Sequence, residues 1–91
     1  MFLTIAVHHP KPEHVEDFLA FMRVVERKMQ GTPGLASIEL FREVGDARLV
    51  AIGRWESPEA AADGIPRLMA IGGRDPAWSA APDEVFQLSE A

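Results

Sequence analysis

Apolar residues occupy both alternating faces of "FLTIAV", residues 2–7: Leu3, Ile5 and Val7 on one, Phe2, Thr4 and Ala6 on the other. A strand apolar on both sides is buried on both sides. Pro10 and Pro12 stop it, because proline cannot donate to a ladder. Over residues 12–30 the period lengthens to that of a helix. Val15, Phe18, Leu19, Met22, Val25 and Met29 form one stripe. Pro12 suits the first turn, Glu13, Glu16 and Asp17 sit at the positive end of the dipole, and Arg23, Arg27 and Lys28 lie towards the other end. Gly31 is the expected C-cap, and Pro33 blocks continuation. Alternation returns in "LASIELFREV", residues 35–44, with Ala36, Ile38 and Leu40 opposing Ser37, Glu39 and Phe41. "GDA" is a hairpin turn, and "RLVAIGRW", residues 48–55, is the returning strand. Leu49, Ala51, Gly53 and Trp55 share one face of it; Arg48, Val50, Ile52 and Arg54 share the other. Ser57 then caps a helix that begins with Pro58 and Glu59. Gly64 and Pro66 predict its division into two pieces, 58–63 and 66–71. "GGRDPAWSAAPD", residues 72–83, reads as loop, and "EVFQLSE", residues 84–90, as the last strand.

The order β-α-β-β-α-β is the ferredoxin-like α+β arrangement, one domain over residues 1–91. Four antiparallel strands carry both helices on one face. The other face cannot be left to water, since the first strand is apolar on both sides. A second copy packed on the open face is the simplest solution, so a homodimer is expected. Composition narrows the partners. A net charge of -5 and no run of Lys or Arg argue against nucleic acid. The absence of cysteine excludes disulfides, thiol catalysis and thiolate metal sites. No apolar stretch reaches membrane-spanning length, and "MFLTIAVHHP" lacks the basic start of a signal peptide. A cytoplasmic location is expected.

"TPGLASIELFREVGDARLVAIGRWESPEAAADG" resembles the antibiotic biosynthesis monooxygenase family of the dimeric α/β-barrel superfamily. The resemblance rests on Pro33 and Gly34 before the second strand, a short polar hairpin, and Trp55, Glu56 and Ser57 before the second helix. It implies a dimeric α/β barrel with a pocket between sheet and helices in each subunit. Cofactor-independent members hold a polycyclic phenol or quinol there, and the substrate anion itself reduces oxygen. Trp55 falls on the Trp of those members. Other polar residues do not carry over. Ala51 stands where anthrone-type members have Asn, and Ala61 where they have Tyr. Ile65 stands where haem-degrading members have their axial His, and Ile5 near their strand-one Asn. No cofactor is therefore expected: neither haem, flavin nor metal.

The chemistry-bearing residues are few. His8 and His9 end the first strand with side chains on opposite faces. An imidazole suits proton abstraction from an acidic phenol, so both are candidate catalytic residues; otherwise they are strand-end histidines without a task. A metal site from His8, His9 and His14 is disfavoured, because adjacent strand residues diverge and no carboxylate spacing completes a pattern. Trp55 either fills the core or walls a pocket. Ala51 and Gly53 precede it on its face and leave volume, and Ala60, Ala61 and Ala62 open the second helix with small side chains. Phe18 and Met22, from the core stripe of the first helix, border the same space. Arg54 and Arg42 either stabilise a substrate anion or pair with Glu39, Glu43 or Glu56. Trp78 either caps the pocket or anchors its loop. Two classes remain: a cofactor-independent monooxygenase acting on a quinol- or anthrone-like aromatic, and a non-catalytic dimeric module that binds a small hydrophobic molecule.

Overall fold

A computed structural model describes residues 1–91. The chain runs β1 (Phe2–Pro10), α1 (Val15–Met29), β2 (Leu35–Arg42), β3 (Leu49–Trp55), α2 (Pro58–Met69) and β4 (Ser79–Ser89). Short 3-10 turns at Pro12–His14 and Pro76–Trp78 lead into α1 and β4. The four antiparallel strands lie in the order β2-β3-β1-β4, with both helices on one face. This is the ferredoxin-like α+β fold that the periodicities predict.

Register assigns the faces. Phe2 pairs with Trp55, Thr4 with Gly53, Ala6 with Ala51 and His8 with Leu49, and these residues face the helices. Phe18, Leu19, Met22 and Leu49 form one core cluster; Met29, Trp55 and Ala61 form the other. The open face is made of Leu3, Ile5 and Val7 beside Val50, Ile52 and Arg54, with Phe86 and Leu88 from β4 and Phe41 from β2. None of these is buried, and Phe41, Phe86 and Leu88 are about half exposed.

Several boundaries differ from the sequence reading. β1 runs on to Pro10, which pairs with Ser79 at the strand's end, rather than stopping at residue 7, and α1 begins at Val15 after the 3-10 turn rather than at residue 12. The second helix is continuous across Gly64 and Pro66 rather than divided. It begins as expected, with Ser57 Oγ accepting from the Ala60 N–H at 3.1 Å. Pro66 then forfeits one helical hydrogen bond, but it lies on the exposed side, while Ile65 and Leu68 pack against Met29, Trp55 and Ala61. That burial offsets a penalty of about 3 kcal/mol for an interior proline. Gly64 is not a break but a close approach: a Cβ there would lie 2.4 Å from Cη2 and Cζ3 of Trp55. The last strand begins at Ser79, so residues 79–83 are strand rather than loop. Pro82 is tolerated because β4 is an edge strand whose pairing to β1 is irregular after Val7. β2 ends at Arg42 rather than at residue 44.

A bulge near Ala36 also changes a face. Leu35 and Ser37 pair with the consecutive residues Trp55 and Arg54, so Leu35 packs on the core and Ala36 is exposed. The Pro33-Gly34 and Trp55-Glu56-Ser57 segments meet at this end of the sheet. The Glu56 N–H donates to the Gly34 carbonyl at 2.8 Å. Gly34 has a φ of +77°, and a Cβ there would strike Ala60 Cβ at 2.4 Å. The two halves of the sequence signature are thus one physical contact.

Candidate functional site

At the opposite end of β1, chain segments remote in sequence converge on His8. Its side chain is 13% exposed and faces the helices. The ring lies 4.8 Å from that of Phe18 on α1. Trp78, ahead of β4, and Phe21 complete an aromatic cluster, with Phe18 6.2 Å from Trp78 and 6.4 Å from Phe21. Two residues that the sequence reading did not single out complete the arrangement. Arg74, in the segment between α2 and β4, donates to both oxygens of Asp83, from Nη1 to Oδ2 at 2.7 Å and from Nη2 to Oδ1 at 2.9 Å. Nη2 also reaches Ser79 Oγ at 3.1 Å, and the guanidinium carbon stands 4.7 Å from the Phe18 ring centroid. Asp83 Oδ1 is in turn 2.9 Å from Nδ1 of His8. The distance is that of a hydrogen bond, but the alignment is not, so Nδ1 is buried with a charge beside it and no directional partner. An open cleft of about 480 Å³ runs from Arg74 along Pro76, Ser79, Ala80, Ala81 and Pro82.

Burial pushes the Asp83 carboxyl up, but the hydrogen bonds of Arg74 and the neighbouring His8 outweigh it, and the group titrates below its ordinary value of 3.8. A carboxylate depressed in the folded state contributes stability above its unfolded value, and that contribution is lost as pH falls through the folded value. The urea midpoint is therefore expected to drop on acidification below about pH 4. Asp83→Asn should remove this component of the acid sensitivity. An identical acid profile in the variant would show that the Arg74–Asp83 pair does not couple to folding.

The other expected site residues are dispersed. Trp55 is sealed in the core at 1% exposure, with its Nε1 donating to Thr4 Oγ1 at 3.0 Å. The volume anticipated beside it is filled by its own indole: a Cβ on Gly53 would stand 2.9 Å from Nε1. Ala51 and Met22 pack in the cluster with Phe18 and Leu49, behind the aromatic surface rather than in an open cavity. Arg54 is on the open face, paired with Glu39 at 2.9 Å, and Arg42 pairs with Glu16 at 2.8 Å. His9 diverges from His8 and meets Glu84 at 2.8 Å, while His14 meets Asp17 at 3.0 Å. The structure thus brings together His8, Phe18 and Trp78 and leaves His9, Arg54 and Trp55 apart from them. Arg74 and Asp83 escaped the sequence reading because they fall in a stretch that reads as loop, where nothing local pairs them.

The family model described as antibiotic biosynthesis monooxygenase matches residues 1–63. The chain belongs to that family. Solved structures share its fold over essentially the whole length. One is a putative antibiotic biosynthesis monooxygenase from Nitrosomonas europaea, 18% identical, covering 99% of this chain and 98% of that one with a TM-score of 0.79. Another is the haem-degrader MhuD of Mycobacterium tuberculosis, solved with two haems in its active site: 18% identity, 99% and 95% coverage, TM-score 0.77. A third, a crystal structure of an antibiotic biosynthesis monooxygenase, is 22% identical over 100% and 99% of the two chains, with a TM-score of 0.78. No curated protein matches the sequence. At these identities the likeness is one of fold, and fold does not determine reaction. The matched stretch ends before Arg74, Trp78 and Asp83. No helix is long and apolar enough to cross a membrane.

Proposed function

We propose that this family member is a cofactor-independent oxygenase of a small aromatic substrate with an acidic proton, a quinol or anthrone, and that it works as a homodimer. The observation that carries this reading is His8: a nearly buried imidazole against the aromatic cluster, beside a carboxylate whose arginine partner, Arg74, lines an open cleft. The half-buried Trp78 offers a ring face to a flat substrate, with offset stacking worth about 0.5–1.5 kcal/mol beyond area burial, and the fully buried Phe18 packs behind it. His8 takes the substrate proton. The resulting anion donates electrons to dioxygen, and a carbon–oxygen bond forms to give a hydroperoxide. For an anthrone-type CH2, loss of water then leaves a carbonyl. One oxygen atom stays on the substrate, and the other leaves in water with the two substrate hydrogens. Met22 and Ala51 support the ring surface from behind, and Trp55 and Gly53 hold the sheet beneath it. His9 and Arg54 have no part in this step, being on the other face. The homodimer is supported by the unburied apolar face of the sheet.

Haem, which MhuD binds, does not fit these residues. Ile65 is packed against the cluster of Met29, Trp55 and Ala61, and α2 contains no histidine. The three histidines present each lie against a carboxylate elsewhere.

The test is oxygen uptake with a panel of quinols and anthrones and no added cofactor. Turnover that saturates in substrate and is abolished in His8→Ala is expected. A second reading, a binding module without chemistry, is favoured by the closed packing around Trp55 and by Ala51 and Ala61 in place of polar side chains. Trp55→Phe leaves the half-buried Trp78 as sole fluorescent reporter. Quenching of Trp78 by the panel without oxygen uptake would replace the oxygenase by the binding module, and neither signal would remove both.

A further inference from the structure

Nδ1 of His8 presents an unusual balance. It is buried, it has no aligned hydrogen bond, and its polar neighbour is Asp83 Oδ1 at 2.9 Å. Buried polar atoms are nearly always satisfied, and an exception calls for an explanation. Asp83 is itself strongly held. Arg74 takes both of its oxygens in a fork, and that guanidinium is fixed in turn by Ser79 Oγ and by the Phe18 ring. A bidentate pair of this kind sets direction as well as charge. The carboxylate is thus aimed at the imidazole by a residue from a third segment of the chain.

We infer that Asp83, clamped by Arg74, is the positioning residue for His8: it holds the proton of the neutral ring on Nδ1, so that Nε2 is the atom that accepts the substrate proton. The inference rests on the proposed role of His8 and names the residues that would make it work. In the step, the substrate O–H or C–H bond breaks, its electron pair stays on the substrate, and the proton passes to Nε2. The imidazolium so formed faces the Asp83 carboxylate, which stabilises it without taking the proton. This is the logic by which a buried carboxylate orients a general-base histidine on unrelated folds. The poor alignment does not remove the preference in the free protein, because the carboxylate charge 2.9 Å from Nδ1 already favours the proton there, and hydrogen bonds of this kind tighten further when substrate is bound. Arg74 does not touch the imidazole; it keeps Asp83 ionised and in place.

The test reads the tautomer of His8 directly, in the free protein, by long-range proton–nitrogen NMR at a pH where the ring is neutral. The neutral ring of the wild type is expected as the Nδ1–H tautomer. In Asp83→Asn, Arg74 retains the amide oxygen, the amide NH2 turns to Nδ1, and the ring is expected to reverse to Nε2–H. On a substrate from the panel, the same variant should lower kcat by about 10²–10⁴-fold with KM changed little, and Asp83→Glu should recover part of it. A wild-type ring in the Nε2–H form overturns the inference, as does a tautomer unaltered in folded Asp83→Asn. The wild-type spectrum decides even where the variant does not fold. Because the tautomer is read without substrate, its failure is distinguishable from failure of the oxygenase reading, which shows as absent turnover in a protein whose His8 carries the expected proton.

Discussion

Trp55→Ala will destabilise the fold by about 3–5 kcal/mol, a large share of the stability of a domain this size. The indole is 1% exposed and is the largest of the fully buried side chains. Its six-membered ring lies over Gly64, at a distance where α2 could not otherwise approach the sheet. Truncation leaves a cavity that α2 cannot close by moving inward, because Ala60 already meets Gly34 at the start of the helix. Thr4→Val is the instructive comparison. It keeps the shape but leaves the indole N–H without its acceptor, at a cost of about 1–3 kcal/mol. Urea denaturation with a constant m-value checks both. Should Trp55→Ala cost under about 1 kcal/mol, the indole does not fill a rigid core and an openable pocket beside it regains support.

Ile5→Glu is expected to convert the proposed dimer into a folded monomer. Ile5 sits in the middle of the open face, paired to Ile52 on one side and Phe86 on the other. In the isolated chain the residue is only half-buried, so a carboxylate there keeps its water and the fold tolerates it. In a face-to-face dimer two carboxylates enter an apolar interface, and the desolvation penalty is several kcal/mol per ion. Light scattering at micromolar concentration should give twice the 10.0 kDa chain mass for the wild type and the single mass for the variant, with unchanged circular dichroism. A wild type of single-chain mass would refute the dimer. A variant that stays dimeric would move the interface off this face.

The arrangement at His8 illustrates why a site is harder to read from a sequence than a fold. His8 itself is legible: an imidazole at a strand end is a plausible base, and the alternation of β1 places it on a different face from His9. Its partners are not. Asp83 and Arg74 come from the far end of the chain, and their approach to His8 depends on the irregular pairing of β1 with β4 past Val7. Trp55 shows the converse. Small residues around a large ring read equally as a slot or as room for that ring, and only the packing, which lays the indole along Gly53 of its own strand and against Gly64 of α2, decides that the ring fills the room itself.

By itself the sequence determined the order of elements, the alternating sets of residues along β1, β2 and β3 and the apolar stripe of α1. Those follow from periods of 2 and 3.6 residues, which any stretch of chain carries locally. Capping at Ser57 and the turn at Gly31 were equally local. The tertiary structure alone decided the unbroken α2, the inward turn of Leu35, the early start of β4 and the convergence on His8. In each of these a local preference meets a competing contact made by residues distant in sequence. Packing of Ile65 and Leu68 overrides Pro66, an edge position makes Pro82 harmless, and a bidentate arginine draws Asp83 to an imidazole. Such contacts exist only once the sheet has set its register, and no local pattern records them.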